Sequence, residues 1–143
     1  MDKIIHLLKT PEECDQIAVL FEDLANQARR RAVELRALSH GIKGMVETEL
    51  LKVIYAYEEI LTEKNKKRTK ANRTWQMVKR YGIIEAAERA VNRQSDPVGY
   101  KTLVEKGLED LTFETIITRF PEYFRQEAVD TASRRLGELQ KIV

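Results

Sequence analysis

Apolar residues recur at every third or fourth position over most of this chain, which is the spacing that places them on one face of an α-helix. The longest such stretch begins at Thr10-Pro11-Glu12-Glu13, where a threonine cap, a proline in the first turn and a glutamate acceptor mark a helix start. We predict a helix that runs to about Leu38. Its apolar stripe comprises Cys14, Ile17, Phe21, Leu24, Ala28, Ala32 and Leu35.

A turn and a second long helix follow. Residues 39–44 include two glycines, which adopt left-handed conformations that other residues resist. From about Val46 to Glu63 the apolar positions again share one face, and the other positions are mostly acidic. We expect the two helices to form an antiparallel hairpin over residues 10–63. The two stripes present more apolar surface than a lone pair of helices can bury. They must therefore meet either the C-terminal helices or a second copy of the chain.

Shorter segments make up the rest of the chain. A basic linker, residues 64–72, precedes residues 73–143, where glycines, prolines and capping residues divide the chain into short helices. These helix boundaries are predicted at Gly82, Asp96-Pro97, Gly107, Asp110 and Pro121. No segment alternates apolar and polar residues as a strand does. The predicted fold class is therefore all-α, a single domain over residues 1–143 with a long N-terminal antiparallel helical hairpin followed by a compact set of four to five short helices.

The composition is that of a globular domain. With 43% apolar and 34% charged residues among 143, the chain can bury a core and is too apolar for a disordered tail. One cysteine excludes a disulfide framework within the chain, and two histidines leave little material for a zinc site. The first nine residues are too short and polar for a signal-peptide core or a membrane span. We therefore expect a cytoplasmic protein that does not contact the membrane.

Charge is distributed unevenly. Residues 64–80 contain eight basic and no acidic side chains, whereas the other 17 basic and 23 acidic residues carry a net charge of −6. Because lysine and arginine neutralise phosphates, this segment predicts nucleic-acid binding, with a flexible lysine-rich arm before a helix. The candidate binding residues are Lys66, Lys67, Arg68, Lys70, Arg73, Gln76, Lys79 and Arg80.

Arg29, Arg30 and Arg36 of the first helix would extend this basic surface, and the ligand we expect is DNA rather than RNA. Two alternatives remain open. The basic segment is a solvated linker balanced by the acidic second helix, or it binds an acidic protein. In the second case the chain is a helical protein–protein interaction or dimerisation module with no nucleic-acid role, which associates with a partner or with itself through the hairpin.

Residues 74–93 resemble a helix-turn-helix, with a short helix, a glycine turn at Gly82, a second helix and then a loop over residues 92–95. The apolar residues at packing positions of that motif are Met77, Tyr81, Ile83 and Val91. Glu88 departs from the pattern because its position is usually apolar. Glu85 lies near the start of the second helix, where it would repel phosphates and puts base readout in doubt.

The sequence predicts no catalytic residue, no cofactor and no metal. Glu58-Glu59 and Glu109-Asp110 are adjacent pairs whose side chains point in different directions on a helix, so neither predicts an acid/base dyad. No glycine-rich phosphate loop and no Gly-x-Ser-x-Gly motif occurs. We therefore expect a protein that is not an enzyme.

Four further residues have expected structural roles. Trp75 is either a core anchor or a ring that stacks on a base, and its spacing from Val78 and Tyr81 favours the core. Cys14 lies on the apolar stripe and is expected to be a small buried hydrophobe. His6 and His40 are expected to be solvated.

The sequence resembles a group of small helical bacterial proteins to which no function is assigned. The resemblance rests on the run from Arg73-Thr74-Trp75 to Ala90-Val91 and on the later Gly99-Tyr100, Gly107-Leu108-Glu109-Asp110 and Phe113-Glu114. It extends over most of the chain. It implies a helical fold and carries no activity, ligand or site residue.

Overall fold

The computed structural model of the protein describes residues 1–93 and 95–142; Gln94, in the loop predicted at 92–95, lies outside the described residues. The described residues are helical and contain no strand, which confirms the all-α fold class. The helices are α1 (Lys3–His6), α2 (Pro11–Ser39), α3 (Met45–Asn65), α4 (Asn72–Tyr81), α5 (Ile83–Val91), α6 (Pro97–Glu105), α7 (Phe113–Arg119) and α8 (Gln126–Gln140), with a 3₁₀ turn over Pro121–Tyr123.

Capping side chains start several helices where the sequence predicts it. The Thr10 hydroxyl accepts the backbone N–H of Glu13 at 3.1 Å, and the Glu13 carboxylate accepts the N–H of Lys9 at 2.6 Å. Asp96 caps α6 in the same way through the N–H of Gly99. The prediction for α7 is wrong, because its cap is Thr112 and not Asp110. The side chain of Asp110 instead binds a distant arginine, a contact that no local pattern encodes.

Helix α3 lies at the centre of the molecule, where it contacts α2, α5, α6 and α7. Its buried apolar side chains pack against the buried faces of the short C-terminal helices, whereas Met45 and Tyr57 are exposed. Helix α7 packs against α8, and α4 packs against α5. The largest fully buried side chains are Leu50, Leu51, Ile54, Leu108, Ile116, Ile117, Val33 and Val91.

The C-terminal helices do not cover the α2 stripe, and the burial predicted for Cys14 is wrong. Phe21 is 62% exposed and Leu24 is 48% exposed, and Cys14 is exposed as well. The residues of α2 that are buried are Val33 and Ala37, which lie on the opposite side of the helix. The helical spacing correctly identifies an apolar stripe, but it contains no information on which side of α2 the rest of the chain covers.

The lysine-rich segment is not the flexible arm predicted from its composition. Its backbone is held against α3, because Thr69 donates its N–H to the Thr62 hydroxyl at 3.1 Å and Ala71 donates its N–H to Glu58 at 2.9 Å. Lys66 ends α3 in the left-handed conformation with φ of 58°. The segment is thus a tight connection between α3 and α4.

Candidate nucleic-acid interface

A single residue, Gly82, joins α4 to α5. Its N–H donates to the carbonyl of Val78 at 2.8 Å, and its own carbonyl accepts the N–H of Ala86 at 3.0 Å, so it caps both helices. Its dihedral angles, φ 85° and ψ 162°, lie in a region that is accessible essentially only to glycine. The one-residue connection is shorter than the turn of three or four residues in a helix-turn-helix, so the match to that motif remains partial.

The two helices enclose an open cleft of about 520 Å³. Four arginines line it, two from α4 and two from the C-terminal end of α5 and the residues after it, and the other lining groups are polar or aromatic. The lining residues are Arg73, Gln76, Met77, Arg80, Tyr81, Arg89, Asn92 and Arg93. The arginines and both amides are exposed to solvent. Four guanidinium groups at one opening are a surface for an anion.

The aromatic ring of Tyr81 organises this cleft. The Arg89 guanidinium carbon lies 3.7 Å from the centroid of that ring, and the Arg80 guanidinium carbon lies 5.2 Å from it. Arg93 approaches the Met77 sulfur, with 3.0 Å between its Nη2 and Sδ. These contacts hold the arginines in the cleft. The Arg89 guanidinium also covers one face of the Tyr81 ring, so that face is unavailable to a stacked base.

Among the residues that the structure describes, three of the four cleft arginines have no acidic partner. Arg89 binds Glu85, with 3.2 Å between Nη2 and Oε1. Among residues 1–93 and 95–142, Arg73, Arg80 and Arg93 have no carboxylate oxygen within 4.0 Å. No carboxylate of the described residues therefore competes with a ligand for these three arginines.

Trp75 anchors α4 to the core side of the molecule. Its indole N–H donates to the buried Glu58 at 2.8 Å, and its ring stacks on His40 with 5.2 Å between centroids. Tyr55 packs beside both rings, and burial, followed by the charge of Glu58, raises the pKa of its hydroxyl. The core position predicted for Trp75 fits these contacts. His40 is exposed as expected, yet it is stacked and lies 3.2 Å from the Tyr55 hydroxyl.

Glu88 anchors α5 in a comparable way. Its side chain is buried and accepts the backbone N–H of Arg125, immediately before α8, at 2.7 Å. The buried Arg135 of α8 donates to the carbonyl of Val91, and its Nε lies 3.9 Å from Glu114. The acidic residue that departs from the helix-turn-helix pattern is thus a structural contact between α5 and α8. Both helices of the cleft are fixed to the core.

The predicted binding residues separate into groups. Arg73, Gln76 and Arg80 line the cleft together. Arg68 binds Glu59 at 2.8 Å and lies 3.9 Å from Glu58, so its charge is balanced within the molecule. The Lys66 ammonium is 4.0 Å from Glu63. Lys67, Lys70 and Lys79 are exposed and are not among the residues that line the cleft.

The arginines of α2 proposed as auxiliary contacts serve the fold. Arg30 donates to Asp110 and to the carbonyl of Gly107, and the hydrogen bond to Asp110 raises the pKa of Arg30. Arg36 binds Glu59 at 3.0 Å, and Arg29 donates to Asn26 at 2.8 Å. Carboxylates from other segments therefore engage Arg30 and Arg36, and an amide engages Arg29, so these arginines make contacts within the molecule.

Arg89, Asn92 and Arg93 are the cleft residues that the sequence reasoning missed. The sequence feature that could have identified two of them is the spacing of four residues between Arg89 and Arg93, which places both on one side of a helix. That spacing alone does not reveal that the same side faces Arg73 and Arg80. The packing of α4 against α5 supplies that information.

A second cavity, of about 220 Å³, lies among α3 and the C-terminal helices and is lined mainly by apolar side chains such as Val53 and Leu103. Within residues 1–93 and 95–142, no group of three or more histidine, cysteine, aspartate or glutamate side chains is arranged to hold a metal ion. None of the described helices combines the length and apolar character that crossing a membrane requires.

Comparison of the chain with models of protein families, with curated proteins and with solved structures finds no match.

Proposed function

We propose that this protein is a non-enzymatic nucleic-acid-binding protein that contacts the sugar–phosphate backbone, of DNA rather than RNA, through the cleft between α4 and α5. The observation that carries the proposal is the convergence of four exposed arginines, three of them without an acidic partner among the described residues. Arginine presents a planar fork of donors that matches phosphate oxygens in a bidentate manner. Gln76 and Asn92 add neutral donors at the same opening.

The contacts we propose are to phosphates and not to base edges. Glu85 lies in the first turn of α5 and would oppose a close approach of that helix to the backbone phosphates along the major groove. Arg89 occupies one face of the Tyr81 ring and His40 one face of the Trp75 ring, and both contacts disfavour base stacking there. Binding should therefore depend strongly on salt and weakly on sequence.

The charge distribution supports one orientation on the ligand. The eight basic residues of 64–80 adjoin the cleft in sequence, and Lys67, Lys70 and Lys79 are exposed, whereas the remainder of the chain is net negative. A polyanion would be attracted to the α4 side and repelled by the rest. In this proposal the long N-terminal hairpin of α2 and α3 is the scaffold, with contact between the two helices and the Arg36–Glu59 ion pair supporting its arrangement.

The test is a salt titration of binding to a short duplex DNA, a single-stranded DNA and an RNA of equal length. Fluorescence anisotropy of the labelled nucleic acid measures the binding. The variant combines Arg73→Gln, Arg80→Gln and Arg93→Gln. We expect weaker binding to the duplex and a slope of log affinity against log salt that is smaller by up to about 2.7, because each lost phosphate contact releases about 0.9 fewer counterions.

The matched control combines Lys101→Gln, Arg134→Gln and Lys141→Gln. It removes the same charge from exposed positions outside the cleft, so it should leave the slope nearly unchanged. Equal losses in the two variants would show that net charge and not the cleft determines binding. A wild-type protein that binds none of the three probes at low salt would overturn the proposal, and tighter binding to RNA would overturn the preference for DNA.

A further inference from the structure

The outward side of α2 carries an apolar stripe, interrupted at Arg31, that the protein's own fold leaves uncovered. Leu20, Phe21, Leu24, Leu35 and Leu38 are between 48% and 62% exposed, although each is a large hydrophobic residue. Monomeric proteins seldom expose a contiguous apolar surface of this kind without a partner. The stripe extends along most of a helix of 29 residues.

The spacing of the stripe is that of a coiled coil. Positions three and four residues apart alternate without interruption from residue 14 to residue 38, which gives the 3.5-residue period of a heptad repeat. The two sets of seam positions are Cys14, Phe21, Ala28 and Leu35, and Ile17, Leu24, Arg31 and Leu38. At 1.5 Å per residue the seam is about 36 Å long. One flank carries Ala18, Ala25 and Ala32 at heptad spacing, which lets another helix approach closely.

The fold already uses the other side of α2. Val33 and Ala37 are buried there, Arg30 binds Asp110, and Arg36 binds Glu59. These contacts direct the seam away from the body of the molecule. A helix that docks on the seam would therefore meet no described element of the same chain.

We infer that the seam binds a second copy of this chain, so that two α2 helices form an antiparallel coiled coil around a two-fold axis. The inference is independent of nucleic-acid binding. Residues 11–24 contain five acidic and no basic side chains, whereas residues 25–39 contain four arginines and one glutamate. Because Arg30 and Arg36 bind carboxylates of their own chain, Arg29 and Arg31 supply the positive charge available to a second copy. An antiparallel pair sets each acidic half beside a basic half, and the same surface serves both copies.

Arg31 gives the strongest reason for the antiparallel orientation. It is the charged residue of the seam, its side chain is 62% exposed, and within the chain it forms an ion pair with Glu34 at 3.1 Å. A parallel pair in register would put the two Arg31 side chains against each other, which like charges oppose. When two antiparallel seams overlap fully, Arg31 lies opposite Phe21 and next to Glu22 of the partner subunit. Such an arrangement offers the guanidinium a ring face and a carboxylate.

The acidic half of α2 argues against the other common occupant of an apolar helix face. Helices that lie on membranes carry lysine and arginine on their polar side, because the headgroups of cytoplasmic membranes are often anionic. Five acidic residues in 11–24 would be repelled from such a surface. In a dimer, by contrast, the acidic half of each α2 lies beside the basic half of the other α2.

The oligomeric state of the full chain tests the inference. We expect light scattering after size-exclusion chromatography to give twice the chain mass of 16.6 kDa for the wild type. The double variant Phe21→Glu, Leu24→Glu should give the monomer mass with unchanged helical circular dichroism. The control double variant Val98→Glu, Tyr123→Glu alters two other exposed apolar residues by the same charge and should remain dimeric. A monomeric wild type, or a dimer that survives the seam variant, would overturn the inference.

The single cysteine tests the orientation. A spin label attached to Cys14 of the dimeric wild-type chain should report an interlabel separation of about 36 Å, because the two ends of the seam lie at opposite ends of an antiparallel pair. A parallel pair would hold the two labels across one interhelical distance of about 10 Å. A short separation in a labelled protein that is still dimeric would contradict the antiparallel arrangement.

Discussion

Several individual side chains in this protein form hydrogen bonds that join one helix to another segment of the chain. Glu58 is almost fully buried, and it accepts the N–H of Ala71 and the indole N–H of Trp75. Buried donors without partners are costly, so this carboxylate fixes the start of α4. Arg30 has a comparable role on the other side of the molecule, where it joins α2 to the loop before α7.

The Arg30–Asp110 pair predicts a pH dependence of stability. Burial alone raises the pKa of Asp110, but the hydrogen bond and charge of Arg30 outweigh it and hold that pKa below its ordinary value. A carboxyl whose pKa is lowered by folding stabilises the protein above its unfolded pKa of about 3.9, and the stabilisation is lost as pH falls through the folded pKa. The pair is partly exposed, so its contribution at neutral pH should be about 1 kcal/mol or less.

Asp110→Asn removes this contribution at neutral pH. Urea denaturation of the wild type and the variant should show a difference in unfolding free energy at pH 7 that shrinks as pH falls below about 4. If the difference were the same at pH 3 and pH 7, the ionised pair would not be its source.

At the scale of elements, the angle between α4 and α5 depends on one backbone position. Gly82 ends the first helix and starts the second in a conformation with positive φ, and no atom lies within 4 Å of where a Cβ would be. Backbone strain, not a steric clash with a neighbour, therefore determines the cost of a substitution there. The cleft geometry rests on this residue because both of its walls meet at Gly82.

Gly82→Ala should lower the unfolding free energy by roughly 1–3 kcal/mol, the cost of holding a non-glycine residue in that region of φ and ψ. Gly137→Ala is the matched control, since Gly137 lies inside α8 and a Cβ there would also meet nothing within 4 Å. The control should raise stability by about 0.4–1 kcal/mol. Thermal or urea unfolding of both variants measures the two changes in unfolding free energy. If both changes had the same direction, backbone strain at Gly82 would not be the cause.

At the scale of the whole molecule, two surfaces of different chemistry face solvent. The arginine cleft lies between α4 and α5, and the apolar seam lies on the outward side of α2. A dimer built on the seam would carry two clefts. Binding of the second cleft to the same duplex would then be intramolecular, and its gain in affinity depends on whether the duplex is long enough to reach both clefts.

Where both proposals hold, the seam variant Phe21→Glu, Leu24→Glu should bind a long duplex roughly tenfold or more weakly than the wild type does. Its affinity for a duplex too short to reach both clefts should be nearly unchanged. Anisotropy titrations with a series of duplex lengths measure this difference. A uniform loss at every length would instead indicate that the two added glutamates simply repel DNA.

The sequence by itself determined the helical elements of this protein. Apolar spacing and local caps act over three or four residues, so the boundaries at Thr10, Gly82 and Asp96 could be read directly from the chain. The basic region 64–80 was equally visible. Of the cleft residues, Arg73, Gln76 and Arg80 were predicted because they share one side of a single helix.

Tertiary structure alone decided which of these features are exposed. The α2 stripe points outward because α3 packs on the opposite side, around Val33 and Ala37, and helical spacing is the same for a covered and an uncovered face. Arg30, Arg36 and Arg68 each meet a carboxylate of another segment, which the local sequence pattern does not indicate. Arg89 and Arg93 line the cleft because α5 packs against α4. Contacts between distant segments depend on how helices pack, and no local pattern records them.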